Sequence, residues 1–154
     1  IMIKVNVISE ENSWSKKLKK KEIFFNKLCR NFPDKFRFDN KQVFLTLLLS
    51  NNKKIKILNK KFRNKNKPTD ILSFPFEQKI RNSKKIYLGD IIISFDYVNK
   101  PKNLSIYNFR EKTIKIFIHG YLHLLGYDHI KHIDYKKMLK EEEKVFRFVK
   151  KLLN

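Results

Sequence analysis

The sequence has 154 residues, of which 42% are hydrophobic and 14% aromatic, which suits one domain with a packed core and excludes disorder throughout. Its formal charge is +21, but most of the basic residues are lysine and only 3 residues are glycine. A polyanionic partner and an AT-biased coding composition therefore explain the charge about equally well, and it permits RNA without demonstrating it. The single cysteine, Cys29, excludes an internal disulfide and reads as a small core residue in a reducing compartment. The start of the chain lacks the apolar run of a secretory signal, and the longest apolar stretch, within 43–49, is too short to span a bilayer. A cytoplasmic protein without a membrane partner is expected.

In chain order, Ile3, Val5 and Val7 alternate with polar residues and predict a strand. Asn12 or Ser13 is placed to cap a helix over 14–31, with Leu18, Ile23, Phe24, Leu28 and Phe32 toward one side, and Pro33-Asp34 breaks it. Residues 41–49 are almost continuously apolar, the pattern of a strand covered on both faces. Ser50-Asn51-Asn52 signals a helix start, with Ile55, Leu58 and Phe62 at helical spacing. Residues 63–67 are basic and polar, a predicted loop.

Ile71 to Phe74 predict a strand that Pro75 ends or confines to an edge. A charged connection is expected over 77–85 and another strand over 87–94. Helices follow over 106–125 and 134–153. The order β-α-β-α-β-β-α-α predicts an α+β (α/β mixed) fold, a small mixed four-stranded sheet with helices packed on it, as a single domain over 1–154.

All 4 histidines fall between 119 and 132. His119 and His123 are one helical turn apart and share a face. Gly126 stands where the helix should end, free to take the left-handed conformation that reverses the chain. The reversal can return His129 to the same point. Three imidazoles with one position left open are the ligand set of a catalytic zinc site, so His119, His123 and His129 are the expected ligands of one zinc ion. The spacing coincides with the long zinc signature of metzincin peptidases, which place a glutamate base directly after the first histidine. Here that position is Gly120. His132 reads as solvated surface, Met138 as core. Asp128 reads either as orienting a ligand imidazole or as capping the last helix.

The run from His119 to His129, with Gly120-Tyr121-Leu122 and Leu124-Leu125-Gly126-Tyr127-Asp128 between the histidines, resembles the signature of the YbeY-type endoribonucleases. Leu58-Asn59, Phe62-Arg63 and the run from Lys67 to Pro75 are similar to a second block of that family, and Leu88-Gly89-Asp90-Ile91 with Ser94 to a third. The blocks stand in the family's order over most of 58–130; the flanking parts match only in length and pattern. Relatives usually place a glycine soon after the arginine, where this chain has Asn64, and acidic residues after the third histidine, where it has Lys131 and His132.

The resemblance implies one zinc on the three histidines, catalytic roles for Arg63 and His119, and single-stranded ribosomal RNA as substrate. The family works in 16S rRNA 3′-end maturation and ribosome quality control, so ribosomal partners are implied and DNA is not. Arginine in a lysine-rich chain also suits planar, bidentate binding of phosphate. Lys53, Lys54 and the basic loop could track an RNA backbone, and Phe62 or Tyr127 could stack a base. Asp70 and Asp90 read as structural hydrogen-bond acceptors, and no carboxylate general base is evident. Two alternatives stand beside this reading: a non-catalytic, zinc-stabilised RNA- or ribosome-binding factor, and a zinc peptidase-like hydrolase, against which Gly120 counts.

Overall fold

A computed structural model describes residues 3–76 and 85–154. The connection expected over 77–85 falls, apart from Lys85, outside the described residues. Four strands, β1 (Ile3–Ser9), β2 (Gln42–Ser50), β3 (Ile71–Pro75) and β4 (Lys85–Ser94), form one sheet in the order β1-β2-β4-β3. β1 and β4 run parallel to β2, and β3 is antiparallel to β4 on the far edge. The expected mixed four-stranded α+β architecture is what the chain adopts, with Pro75 at an edge where its missing N–H interrupts no ladder.

The helices are α1 (Trp14–Lys17), α2 (Lys21–Arg30), α3 (Asn52–Arg63), α4 (Phe95–Val98), α5 (Ile106–Leu124) and α6 (His132–Val149). The helix expected over 14–31 is two. Leu18 is extended, with ψ 105°, and Lys20 takes the left-handed conformation. Five of residues 16–21 are lysines, which one continuous helix would crowd onto its surface. The break separates them and lets Leu18 enter the core. It also resets the helical phase, so Phe25 and Cys29 are buried while Ile23 is 65% exposed. Ser13 makes no side-chain cap; its N–H and hydroxyl instead donate to the Glu11 carboxylate, which holds that carboxyl below its usual range.

Elsewhere the local signals hold. Asn51 caps α3, accepting from the Lys54 N–H at 2.9 Å. Arg63 is the last residue of that helix rather than the first of a loop, and Asn64 follows it at φ 57°. Asparagine tolerates the left-handed region better than most side chains, so Asn64 occupies a conformation that glycine would favour. The short α4 and the 3-10 turn Lys150–Leu153 after α6 were not expected.

The sheet's two faces differ. Val43, Leu45, Leu47 and Leu49 of β2 point into the main core, where α2 and α5 lie over the sheet and α6 lies against α5. The alternate residues Phe44, Thr46 and Leu48 are only partly covered, so the expectation of burial on both faces holds for one. Polar groups tie the layers together: Asn26 bonds both the N–H and the carbonyl of Val5, the Trp14 indole donates to the Ser50 carbonyl, and the Tyr121 hydroxyl donates to the Phe36 carbonyl. Each is a buried polar group that would otherwise be left unsatisfied. Among the described residues no helix is long and apolar enough to cross a membrane.

Candidate metal centre

The centre is built on the C-terminal end of α5. This helix starts at Ser105, whose hydroxyl accepts from the Asn108 N–H at 3.0 Å, and buries Ile114, Phe117, Tyr121 and Leu124. Burying each such side chain stabilises the fold by about 1.5–3 kcal/mol, so the helix is held in one rotational setting. His119 and His123 stand at its half-covered margin, with Nε2 atoms 3.1 Å apart.

Gly126 has φ +99° and reverses the chain as its position in the sequence predicts. The Gly126 N–H donates to the His123 carbonyl and the Tyr127 N–H to the Leu122 carbonyl, which closes the helix end. His129 then returns to the pair. The three rings have centroids 4.6–5.5 Å apart, and one ligand atom from each lies within 4.8 Å of the others. The 3.1 Å between the His119 and His123 Nε2 atoms is near the roughly 3.3 Å between nitrogens around a tetrahedral zinc with Zn–N of about 2.0–2.1 Å, and the third ligand atom lies within 4.8 Å of both. Three imidazoles with neither thiolate nor carboxylate among them are a donor set that zinc accepts.

Two of the rings are oriented from outside. The His119 Nδ1 lies 2.5 Å from Glu142 Oε1 on α6, and the His123 Nδ1 lies 2.9 Å from the Tyr127 carbonyl. Both acceptors take an N–H, which fixes the tautomer and leaves Nε2 free to act as a ligand. Burial, followed by the proximity of His119 and then His129, pushes the His123 pKa below its ordinary value. The neutral form, which binds metal, is thereby favoured.

Glu142 was not legible as part of this site. The signal available was Glu141-Glu142-Glu143, the longest acidic run in a basic sequence, but pairing it with His119 requires knowing how α6 crosses α5. Asp128 takes neither role expected of it. Its carboxylate accepts from the His129 N–H at 2.7 Å, and Lys131 precedes α6 without a side-chain cap. His132 is exposed and Met138 buried, as expected. The Tyr127 ring packs on Phe36, with centroids 6.2 Å apart.

Gly120 has a tertiary reason. A Cβ there would lie 2.5 Å from Ile71 Cδ1 and 2.9 Å from Ser73 Oγ. The position after the first histidine faces β3, and a peptidase's glutamate there would have to displace the Ile71 and Ser73 side chains. Ser73 donates to the Gly120 carbonyl at 3.1 Å. Arg63 does not join the imidazoles directly. Its Nη2 donates to the Ser73 carbonyl at 3.1 Å, and its guanidinium lies 5.8 Å from the Phe74 ring centre. Ser73 thus connects the arginine to the turn that carries His119. Asp70 accepts from the Ile71 N–H, and Asp90 from the Tyr87 hydroxyl, so both serve as structural acceptors.

The family described as Endoribonuclease YbeY matches residues 6–150. A protein of Pelagibacter ubique named Endoribonuclease YbeY is 60% identical over 149 residues, 97% of either chain. One of Sulfurihydrogenibium with the same name is 33% identical over 144 residues, covering 93% of this chain and 91% of that one. A solution structure from Thermotoga maritima, at 25% identity and a TM-score of 0.48, covers 95% of this chain and 90% of its own.

Proposed function

We propose, from the premise that this chain belongs to the YbeY endoribonuclease family, that it is a zinc-dependent endoribonuclease of single-stranded RNA. Its substrate on this reading is ribosomal RNA, in 16S 3′-end maturation and ribosome quality control, with ribosomal partners in the cytoplasm. The observation that carries the proposal is the convergence of ligand atoms from His119, His123 and His129 within 4.8 Å of one another. When bound there, a zinc ion supplies Lewis acidity toward a phosphodiester and toward water.

The chain's own groups do the rest. Glu142 and the Tyr127 carbonyl hold the outer nitrogens of His119 and His123, so their inner nitrogens are presented without rotation. His119 is both ligand and the histidine of the reacting centre. Arg63 is exposed and uses one donor on Ser73, which leaves the remainder of its five-donor fork for phosphate oxygens. The Ser73–Gly120 hydrogen bond keeps that fork in a constant relation to α5.

The test is metal analysis of the purified protein together with cleavage of single-stranded RNA, with and without chelator. One zinc per chain and chelator-sensitive cleavage are expected. Arg63→Ala should be folded and zinc-loaded but deficient in cleavage and in 16S 3′-end processing in cells. A zinc-loaded wild type that binds RNA and leaves it uncut would overturn the enzymatic reading in favour of a binding factor.

A further inference from the structure

Among the described residues, the outer face of the sheet is covered at one end, where Ile55 of α3 packs with Leu72 and Ile92. Beyond this cluster runs a groove of about 560 Å³, lined among others by Thr46, Leu48, Leu58, Phe62 and Phe74. Two aromatic pairs stand on this face. Phe62, 57% exposed, meets Phe74 edge-on at 5.3 Å; Phe76, 44% exposed, meets Tyr87 at 5.5 Å. The Tyr87 hydroxyl donates to Asp90 and pairs with Thr46 Oγ1 at 2.7 Å, which pins that ring to the strands.

Cations stand beside the rings. Lys61 Nζ is 5.3 Å from the Phe62 ring, Arg63 reaches Phe74, and Lys54 lines the groove. The groove's carboxylates are hydrogen-bonded: Asp90 to Tyr87, and Glu10 to the Ser50 hydroxyl at 3.3 Å.

We infer that this face is a platform for single-stranded RNA, with unpaired bases stacking on Phe62 and Phe76 while Lys54, Lys61 and Arg63 hold phosphates. Exposed rings on a sheet, bordered by cations, are the chemistry that binds unpaired bases, whereas the bases of a duplex are stacked on each other and present no free face. Continuity with the metal centre supports the occupant. Neighbouring residues of β3 serve the two sides: Ser73 bonds Gly120 beside His119, and Phe74 meets Phe62. Arg63, bonded to Ser73 of this edge strand, stands between the two. A strand lying on the platform would reach the histidines by turning around β3 at Arg63. The inference rests on RNA being the substrate.

The test uses the full chain carrying Phe62→Leu and Phe76→Leu together, which removes the rings and retains apolar volume. Binding of a short labelled single-stranded RNA is read by anisotropy with chelator present, so cleavage does not interfere. The Kd should rise by about 30-fold or more, since two bases each lose a stacking energy of about 1–3 kcal/mol. The salt dependence of binding and the affinity for duplex RNA should not change, since no phosphate contact is removed.

Wild-type affinity in the folded variant would overturn the platform. So would an equal loss on duplex RNA, or a change in self-association at constant RNA affinity, which would assign the face to a second copy of the chain. If the variant loses affinity although the wild type cuts no RNA, the platform stands and the ribonuclease reading falls. If the variant binds normally and the wild type cuts RNA, the reverse holds.

Discussion

The two faces of the sheet are put to different uses. The inner face is sealed by α2 and α5, with α6 laid against α5, and Leu45, Leu47, Phe117 and Tyr121 meet there without solvent. Among the described residues the outer face is covered by α3, with Phe62, Phe76 and Ile8 left exposed. A sealed layer holds α5 and α6 in one relation, and that is what can bring Glu142 on one helix to His119 on the other. An open layer cannot fix atoms so closely, but it keeps area available. The comparison teaches that accuracy of position and accessibility are divided between opposite sides of one strand layer.

The largest effect that can break this comparison is expected on the inner side. His123→Ala should abolish zinc binding and lower RNA cleavage by roughly a thousandfold or more, since several kcal/mol of transition-state stabilisation go with the ion. Retained zinc at one per chain would show that the three histidines are not the ligands.

The next effect is in stability. Leu45→Ala, in the sealed layer, should destabilise by about 2–5 kcal/mol, while Ile57→Ala on the exposed side of α3 should stay within about 0.5 kcal/mol. Denaturant titrations of equal costs would mean that the two faces are not differently packed.

Glu142→Gln sharpens the comparison further, because it alters the support of a ligand and not the ligand. Zinc affinity should fall by about 10- to 100-fold, with little change in the melting temperature of the metal-free protein. An unchanged affinity would make the Glu142–His119 contact incidental.

The smallest effect is with pH. Burial and its neighbouring imidazoles lower the His123 pKa in the fold, so the unfolded chain takes up this proton first as pH falls. Metal-free protein should therefore keep the whole His123 contribution above an ordinary histidine value of about 6.5 and lose it progressively as pH drops below. Thermal melts of wild type against His123→Gln should show the shallower decline in the variant.

Much of the fold was legible because its signals are local. Alternation marked β1, and helical spacing after an asparagine cap marked α3. Two histidines a turn apart, a glycine, and a third histidine three residues later marked the centre, since helix pitch and one left-handed residue suffice to bring those rings together. The break at Leu18 was not legible, because it answers to a core that the flanking lysines do not reveal. Nor was the restart of α2, with Ile23 outside and Phe25 inside, for the helical phase there depends on that break.

By itself, then, the sequence determined the order of the strands and long helices, the ligand spacing and the reversal at Gly126, all set within a few residues by backbone geometry. Only the tertiary structure decided that Glu142 would orient His119, that Gly120 would lie against Ile71 and Ser73, and that Arg63 would reach the centre through a strand carbonyl. Those contacts join residues that no helical or strand period relates. They follow from how layers pack, and packing is settled by the burial of the whole core rather than by any one segment.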